Sequence, residues 1–191
     1  MGNTPFISVI MPVYNSEEYL DTSIQSVLNQ SFRDLELILV NDCSRDKSKT
    51  ICQKYAEDDE RVKFIDLQEN IGAGKARNKG LECAVGKYVA FWDADDRFHP
   101  KALEELYHKS EQVQADICVC EVCEFRGDGK LYETGGYLQK INCRRKIHLI
   151  NMTYRGISLA LHRTCCGIKC FAERSLWKMR LHSRISGREM M

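Results

Sequence analysis

The strongest restriction on this chain is an alternation of two patterns. Short, nearly continuous apolar runs recur: "ISVIMPV" at Ile7–Val13, "LELILV" at Leu35–Val40, "VKFIDL" at Val62–Leu67 and "YVAFW" at Tyr88–Trp92. Such runs suit strands covered on both faces, as in a parallel sheet, because a strand with one wet face would alternate apolar and polar residues. The gaps between them read as helices. Leu20, Ile24, Val27 and Leu28 fall at i, i+4, i+7 and i+8, an apolar stripe, with Ser16 as the expected N-cap and Glu17 and Glu18 in the first turn. Further helices are predicted at about 47–56, 74–84 and 101–114, and a fifth strand in "DICVCEV" from Asp116. Five strands alternating with four helices predict an α/β fold, a doubly wound, mostly parallel, Rossmann-like sheet with helices on both faces. Ligands of such sheets bind beyond the carboxyl ends of the strands.

At 191 residues the chain has the length of one domain. Lys and Arg number 28 against 27 Asp and Glu, so a net charge of +1 gives no electrostatic case for nucleic acid as a partner. No stretch reaches the roughly 18–20 apolar residues of a membrane span, and the N-terminus lacks the basic-then-apolar order of a signal peptide. A soluble, cytoplasmic location is therefore expected, with the cysteines reduced. Cys120-x-x-Cys123 with Cys165, Cys166 and Cys170 lacks the clean second pair of a zinc site, and Cys118 and Cys120 fit a buried strand better. After Val122 the regularity weakens. Gly127-Asp128-Gly129 and Gly135-Gly136 read as turns, Cys143–Lys146 as a basic patch without period, "GIKCF" as a strand and "AERSLWKM" as helix-compatible.

The loops that follow the first four strands hold polar residues beyond what turns require. They are Pro12–Ser16, Asn41–Asp46, "ENIGAGKARNKG" from Glu69, and Asp93-Ala94-Asp95-Asp96. In the third, Gly72 and Gly74 permit close backbone approach while Lys75, Arg77 and Lys79 bring cations to a helix start, a place for phosphate oxygens. A glycine-rich turn followed by a solvated basic face is the alternative. In the fourth, carboxylates so close together repel unless a cation or strong donors compensate. Mg2+ or Mn2+ takes one or two carboxylates and completes its shell with water and substrate phosphate, so an acidic loop beside a basic one points to a metal-bound diphosphate. Asp96 has a second reading, as cap of the helix that starts near Pro100.

Three segments, "SVIMPVYNSEEYLDTSIQSVLNQSFRDLELILVNDCSRDKS", "ENIGAGKARNKGLECAVGKYVAFWDADDRFHP" and "IKCFAERSL", together resemble the inverting glycosyltransferases of family two, which have the GT-A fold. The resemblance runs from about Phe6 to Leu176. It implies a single GT-A domain over 1–191, with a donor-binding half at about 6–123 and a less regular, incomplete acceptor-side region at about 124–191. It also implies a nucleotide-sugar donor, often a UDP-sugar, a Mn2+ or Mg2+ cofactor, and an acceptor hydroxyl on a sugar, lipid-linked or other molecule. The setting it implies is cell-surface polysaccharide or glycan synthesis, with peripheral association at the inner face of the membrane. Residue by residue, Pro12, Tyr14 and Glu17 would lie along the nucleoside and Asp42 would accept a hydrogen bond from the base. Arg77 would reach the nucleotide part of the donor. Of the Asp-x-Asp pair, Asp93 would sit by the ribose or metal and Asp95 would bind the metal. Cys43 stands where the family usually has glycine in Asn-Asp-Gly-Ser, which restricts that turn.

The implied reaction is a single displacement in which an acceptor hydroxyl attacks the anomeric carbon, the nucleoside diphosphate leaves and configuration inverts. A carboxylate base is needed on the opposite side of the sugar. Similar enzymes draw it from an acidic pair downstream of the segment that "IKCFAERSL" resembles, and here Glu189 is the local candidate, with Arg188 where the first acid is expected. An unstructured terminus without a catalytic role is the alternative for Glu189. For the whole chain, the alternative is a nucleotide-sugar-binding module that lacks its general base. A dinucleotide dehydrogenase is disfavoured because no G-x-G-x-x-G follows the first strand, and an EF-hand because "DADDRFHP" lacks the loop glycine.

Overall fold

In the computed structural model of the chain, the described residues are 5–115, 117–120, 124–125, 131–132, 142–144 and 169–173. The chain divides into two compact units, Met1–Glu104 with Ala172–Met191, and Glu105–Phe171. The first holds β1 (Ile7–Val13), α1 (Leu20–Leu28), β2 (Leu35–Asn41), α2 (Ser48–Asp58), β3 (Val62–Asp66), α3 (Ala73–Cys83) and β4 (Tyr88–Phe91). Helix α4 (Ala102–Val113) follows. The second unit holds β5 (Ile117–Cys120), β6 (Glu124–Phe125), β7 (Leu131–Tyr132) and β8 (Asn142–Arg144), with β5 antiparallel to β8 and β6 antiparallel to β7. A last strand, β9, spans Lys169–Glu173.

Strands β1 to β4 are parallel and lie in the order β3-β2-β1-β4. The first two crossovers step one way along the sheet and the third steps back. Right-handed crossovers therefore put α1 and α2 on one face and α3 on the other. Side chains follow the period of two. Ile10, Ile38, Val40, Val89 and Phe91 form one buried cluster with Ala76, Leu81 and Ala84 beneath α3. Alternate residues such as Val9, Met11, Leu37 and Leu39 are buried on the opposite side, where Ser23 of α1 lies 3.9 Å from Met11 Sδ. The predicted doubly wound parallel sheet is thus present in β1 to β4.

Proline explains where β4 ends. Ile10 pairs with Phe91, and the Trp92 N–H donates to the Ile10 carbonyl at 3.0 Å. The next β1 residue aimed at β4 is Pro12, which has no N–H to offer, so the ladder stops while β1 continues beside β2 to Val13. The chain after Trp92 is released there. Between β1 and β4 the strand order also reverses, which is the switch point at which α/β sheets bind ligands.

Several local expectations are corrected. Ser16 is not a side-chain cap, because its hydroxyl donates to the Tyr14 carbonyl and its own carbonyl receives the Tyr19 and Leu20 amides. The helix starts at Leu20, after a turn opened by Asn15 at φ 49°, so Glu17 and Glu18 precede it and Asp21 is the acid of its first turn. At the start of α4 the His99 carbonyl accepts the Ala102 amide at 2.9 Å. Buried Gln30 accepts the Leu103 amide at 3.0 Å while donating to the His99 and Ser26 carbonyls. Cys143 and Arg144 of the basic patch, read as lacking a period, lie in β8. The predicted turns at Gly127–Gly129 and Gly135–Gly136 lie outside the described residues.

At the amino-terminal edge of the sheet, a polar residue interrupts each of two apolar runs. Ser8 and Glu36 are in register on β1 and β2, and the Ser8 hydroxyl donates to Glu36 Oε1. That oxygen also accepts the Val85 amide at 2.9 Å, and Lys63 Nζ lies 2.6 Å from Oε2. Burial alone would raise the Glu36 pKa; the Lys63 ammonium, the Ser8 hydroxyl and the Val85 amide outweigh it and hold the carboxyl below its ordinary value. Gly86 closes the network by donating to Ser8 Oγ at 2.8 Å, and a Cβ there would lie 2.6 Å from the Ser8 nitrogen.

Two outcomes follow for stability. Because the folded pKa of Glu36 is depressed, its contribution is present above the unfolded carboxylate value and is lost as pH falls through the lower folded one. Urea unfolding of Glu36→Gln should show a deficit of about 1–3 kcal/mol at neutral pH that shrinks in acid. A deficit independent of pH would contradict this assignment. Gly80→Ala should cost about 1–2 kcal/mol despite the better helix propensity of alanine, because the new methyl would overlap Ile10 Cγ2 where α3 crosses β1. An unchanged unfolding midpoint would refute that close approach.

Candidate functional site

The four loops beyond β1 to β4 are joined by side chain to backbone hydrogen bonds and one ion pair. Between the first two the bonding is reciprocal. The amides of Asn15, Ser16 and Glu17 donate to Ser44 Oγ, Ser48 Oγ and Asp46 Oδ2 at 3.1, 2.9 and 3.0 Å. In return the amides of Arg45 and Lys47 donate to Asn15 Oδ1 and Glu17 Oε2, both at 2.8 Å. Asp46 Oδ1 also accepts the Ser48 amide at the start of α2. Burial would raise the Asp46 pKa; the Ser48 hydroxyl and the Glu17 and Ser48 amides lower it instead.

Asp42 joins the second loop to the third. Its side chain is buried, with 2% of its surface exposed, and its two oxygens accept the Ile71 and Gly72 amides at 2.7 and 2.8 Å. A carboxylate accepting from successive backbone amides compensates for much of its lost hydration. Gly72 is left-handed at φ 85° and caps α3, so Asp42 fixes the turn from which that helix departs. Cys43 is also left-handed, at φ 60°, where a side chain is strained, and its Sγ lies 3.6 Å from the Gln68 carbonyl.

Arg77 joins the third loop to the fourth. Its Nη2 donates to Asp93 Oδ1 at 2.5 Å, and its buried Nε has no hydrogen-bond partner. The Asp93 carbonyl accepts the Ser23 hydroxyl from α1 at 3.2 Å and the Asp96 amide at 3.2 Å, making a tight turn over the aspartates. Behind the turn Trp92 is buried and stacks on Phe98, with centroids 3.4 Å apart and planes 9° apart. Asp95 is exposed. The charge of Glu18 and its hydrogen bond, and to a lesser degree the charge of Asp95, raise the pKa of the exposed Tyr19 hydroxyl.

The residues singled out from the sequence are therefore distributed as follows. Pro12 is buried within β1 in register with Val40, while Tyr14 projects with 45% of its surface exposed. Glu17 and Asp42 hold backbone amides, Arg77 and Asp93 form an ion pair, and Asp95 faces solvent. Lys75 is exposed at the start of α3, and Lys79 pairs instead with Glu82 at 3.0 Å. Glu189 lies outside the described residues. Among the described residues no group of three or more His, Cys, Asp or Glu side chains is arranged to hold a metal alone. A hard divalent ion that takes one or two carboxylates and completes its shell from water and substrate would need no more from the protein than the exposed Asp95 carboxylate offers. Sequence reasoning missed Ser44, Asp46 and Ser48 as partners of the first loop, and Ser23 as support for Asp93. The only signal was their side-chain chemistry, since each partner lies about 30 or more residues away.

Residues 8–177 match the family model described as glycosyl transferase family 2. Among curated proteins, the putative teichuronic acid biosynthesis glycosyltransferase TuaG of Bacillus subtilis is 48% identical over 53% of this chain and 40% of its own length. The putative glycosyltransferase EpsH of the same organism is 37% identical over 80% of this chain and 44% of its own length. The chain thus spans less than half the length of these relatives. Among solved structures, S. aureus TarS 1-349 in complex with UDP-GlcNAc superposes with a TM-score of 0.55 at 34% identity, covering 59% of this chain and 33% of that one. The mannosyltransferase PcManGT of Pyrobaculum calidifontis, in complex with GDP-Man and Mn2+, is alike in fold, with a TM-score of 0.53 at 22% identity over 65% of this chain and 36% of its own.

The geometry of Asp42 makes a specific prediction. Asp42→Asn turns one of the two acceptors into a donor facing an amide, leaving that buried amide unsatisfied, so stability should fall by about 1–3 kcal/mol. Hydrogen exchange read at Ile71 and Gly72 should speed up in the variant, and unchanged protection would mean that Asp42 does not hold this turn.

Proposed function

The chain belongs to glycosyltransferase family 2, and from that premise we propose that it transfers a sugar from a UDP-sugar to an acceptor hydroxyl with inversion of configuration. The observation that carries the reading is the gathering of Asp42, Arg77, Asp93 and Asp95 at the carboxyl edge of one sheet, on loops that meet around its switch point. TarS in complex with UDP-GlcNAc supports uridine as the nucleoside. The name of TuaG, a putative teichuronic acid biosynthesis glycosyltransferase, supports polysaccharide synthesis as the setting. The described residues contain no helix long and apolar enough to cross a membrane.

In this reading Pro12 and Tyr14 lie along the nucleoside, and Glu17 contributes through the loop it holds. Asp42, fixed by two amides, accepts the hydrogen bond of the base. Asp93 sits by the ribose. The Arg77 guanidinium, already tied to Asp93, turns toward the diphosphate and stabilises the charge that develops on it. A Mn2+ or Mg2+ ion, when bound, supplies Lewis-acid neutralisation of that leaving charge, and Asp95 is its ligand. The acceptor oxygen forms its bond to the anomeric carbon as the carbon–oxygen bond to the diphosphate breaks. A carboxylate, with Glu189 the candidate, takes the hydroxyl proton.

Thermal unfolding in a panel of nucleoside diphosphates and nucleotide-sugars, with and without Mn2+, tests the reading. Uridine ligands at about a hundred times Kd should add about 2.7 kcal/mol of stability and do so only with the metal present. Asp95→Ala should keep the fold and lose the metal dependence. Selectivity for a purine nucleotide would remove the UDP assignment, and a variant that still responds to UDP through Mn2+ would remove Asp95 as ligand.

A further inference from the structure

The interlocking of the first two loops uses more side chains than a turn requires. Three successive amides, Asn15 to Glu17, donate into the second loop and α2, while Arg45 and Lys47 donate back. Every bond joins residues 29 to 32 apart in sequence, so none arises from local turn formation. The side chains of Asn15, Glu17, Ser44, Asp46 and Ser48 all accept backbone amides in this seam. The groups left at its border are the Tyr14 ring, 45% exposed, and Asp42, whose amide donates to the Val13 carbonyl at 2.8 Å. The seam therefore sets the placement of Tyr14 relative to Asp42.

We propose that Glu17 and Asp46 are positioning residues for donor binding, which hold the first loop against the second so that the Tyr14 ring and the Asp42 carboxylate stand ready for one nucleoside. The proposal rests on the nucleotide-sugar reading above. It gives Glu17 a role through the Lys47 amide, and it brings in Asp46, which no resemblance had marked. Both carboxylates are anchored to amides at or beside the start of α2, where negative charge is favoured. With an acceptor removed, Tyr14 samples more positions, and the nucleoside must then restrict it on binding, which lowers affinity.

The test is titration of UDP with Mn2+ into the whole chain and its variants by calorimetry, with circular dichroism to check folding. Glu17→Ala and Asp46→Ala should each raise the Kd for UDP by about tenfold. The double variant should lose much less than the hundredfold of independent sites, because both belong to one seam. Glu17→Gln retains a carbonyl oxygen for the Lys47 amide and should bind almost as the parent does. In donor turnover the loss should appear in KM, with kcat little changed. Ser44→Ala, which removes only the acceptor of the Asn15 amide, should raise Kd by about threefold and serves if the larger variants unfold. If the parent chain itself fails to bind UDP, the nucleotide-sugar reading fails and this proposal with it. If the parent binds UDP but Asp46→Ala binds equally well while Glu17→Gln is as weak as Glu17→Ala, then Glu17 touches the nucleoside directly and the positioning role is overturned.

Discussion

The pairing of β1 with β2 on one side and β4 on the other is the constraint from which the site descends. A central parallel strand must be apolar on both faces, which "ISVIMPV" is, and its two neighbours inherit their register from it. At Pro12 that symmetry breaks. The ladder to β2 continues to Val13 while the ladder to β4 ends at Phe91, so the chain after Trp92 leaves the sheet beside the loop that follows β1. A missing amide proton in one strand thus opens the gap that the aspartates of another occupy. The glycines of α3 matter in the same economical way, since Gly80 lets the helix lie close on Ile10 and so carries Gly72 and Arg77 toward that gap.

Two buried carboxylates at opposite edges of the sheet show how one chemical group serves different ends. Glu36, at the amino edge, meets a cation, a hydroxyl and an amide, and every one of these partners comes from the scaffold. Asp42, at the carboxyl edge, meets only backbone amides, both belonging to the turn that starts α3. Isolating either charge would cost several kcal/mol. Glu36 stitches β1, β2, β3 and the α3–β4 connection at the end where no ligand is expected. Asp42 instead rigidifies the loops at the end where one is.

Much of this could be read from the sequence, and the reason is periodicity. The apolar runs marked the four strands to within a residue, because burial on both faces of β1, β2 and β4 leaves few positions where a polar residue is tolerated, whereas the edge strand β3 is only partly buried and carries Lys63 and Asp66. Ser8 and Glu36, which interrupt the runs of β1 and β2, are partners in register, and their match became visible only once β1 lay beside β2. Helix starts were less legible. Ser16 has the chemistry of a cap, yet its hydroxyl is spent on Tyr14 and the cap-like bonds of the neighbouring loop are made by Glu17 and Asp46 from a distance. At the start of α4, the remote Gln30 accepts the Leu103 amide, a partner that spacing along the chain does not reveal. Short spacing identifies which residue types can do a task; only the fold decides which partner comes within reach.

The two ends of the candidate site also differ in how far they are built before any ligand arrives. At the nucleoside end, Asp42 has both oxygens engaged, the first loop is locked to the second by five amides, and little freedom remains apart from the Tyr14 ring. At the diphosphate end the principal cation is bound to Asp93, and the Asp95 side chain faces solvent. In the proposed reaction the first contact that a donor can make without rearrangement is therefore with the nucleoside. Arg77 must then exchange part of its interaction with Asp93 for phosphate oxygens, an exchange of one anion for another that keeps the guanidinium paired throughout. On the proposed reading, a rigid base site followed by an adjustable phosphate site would place discrimination in the scaffold and leave the movable charges for the step in which the leaving group departs.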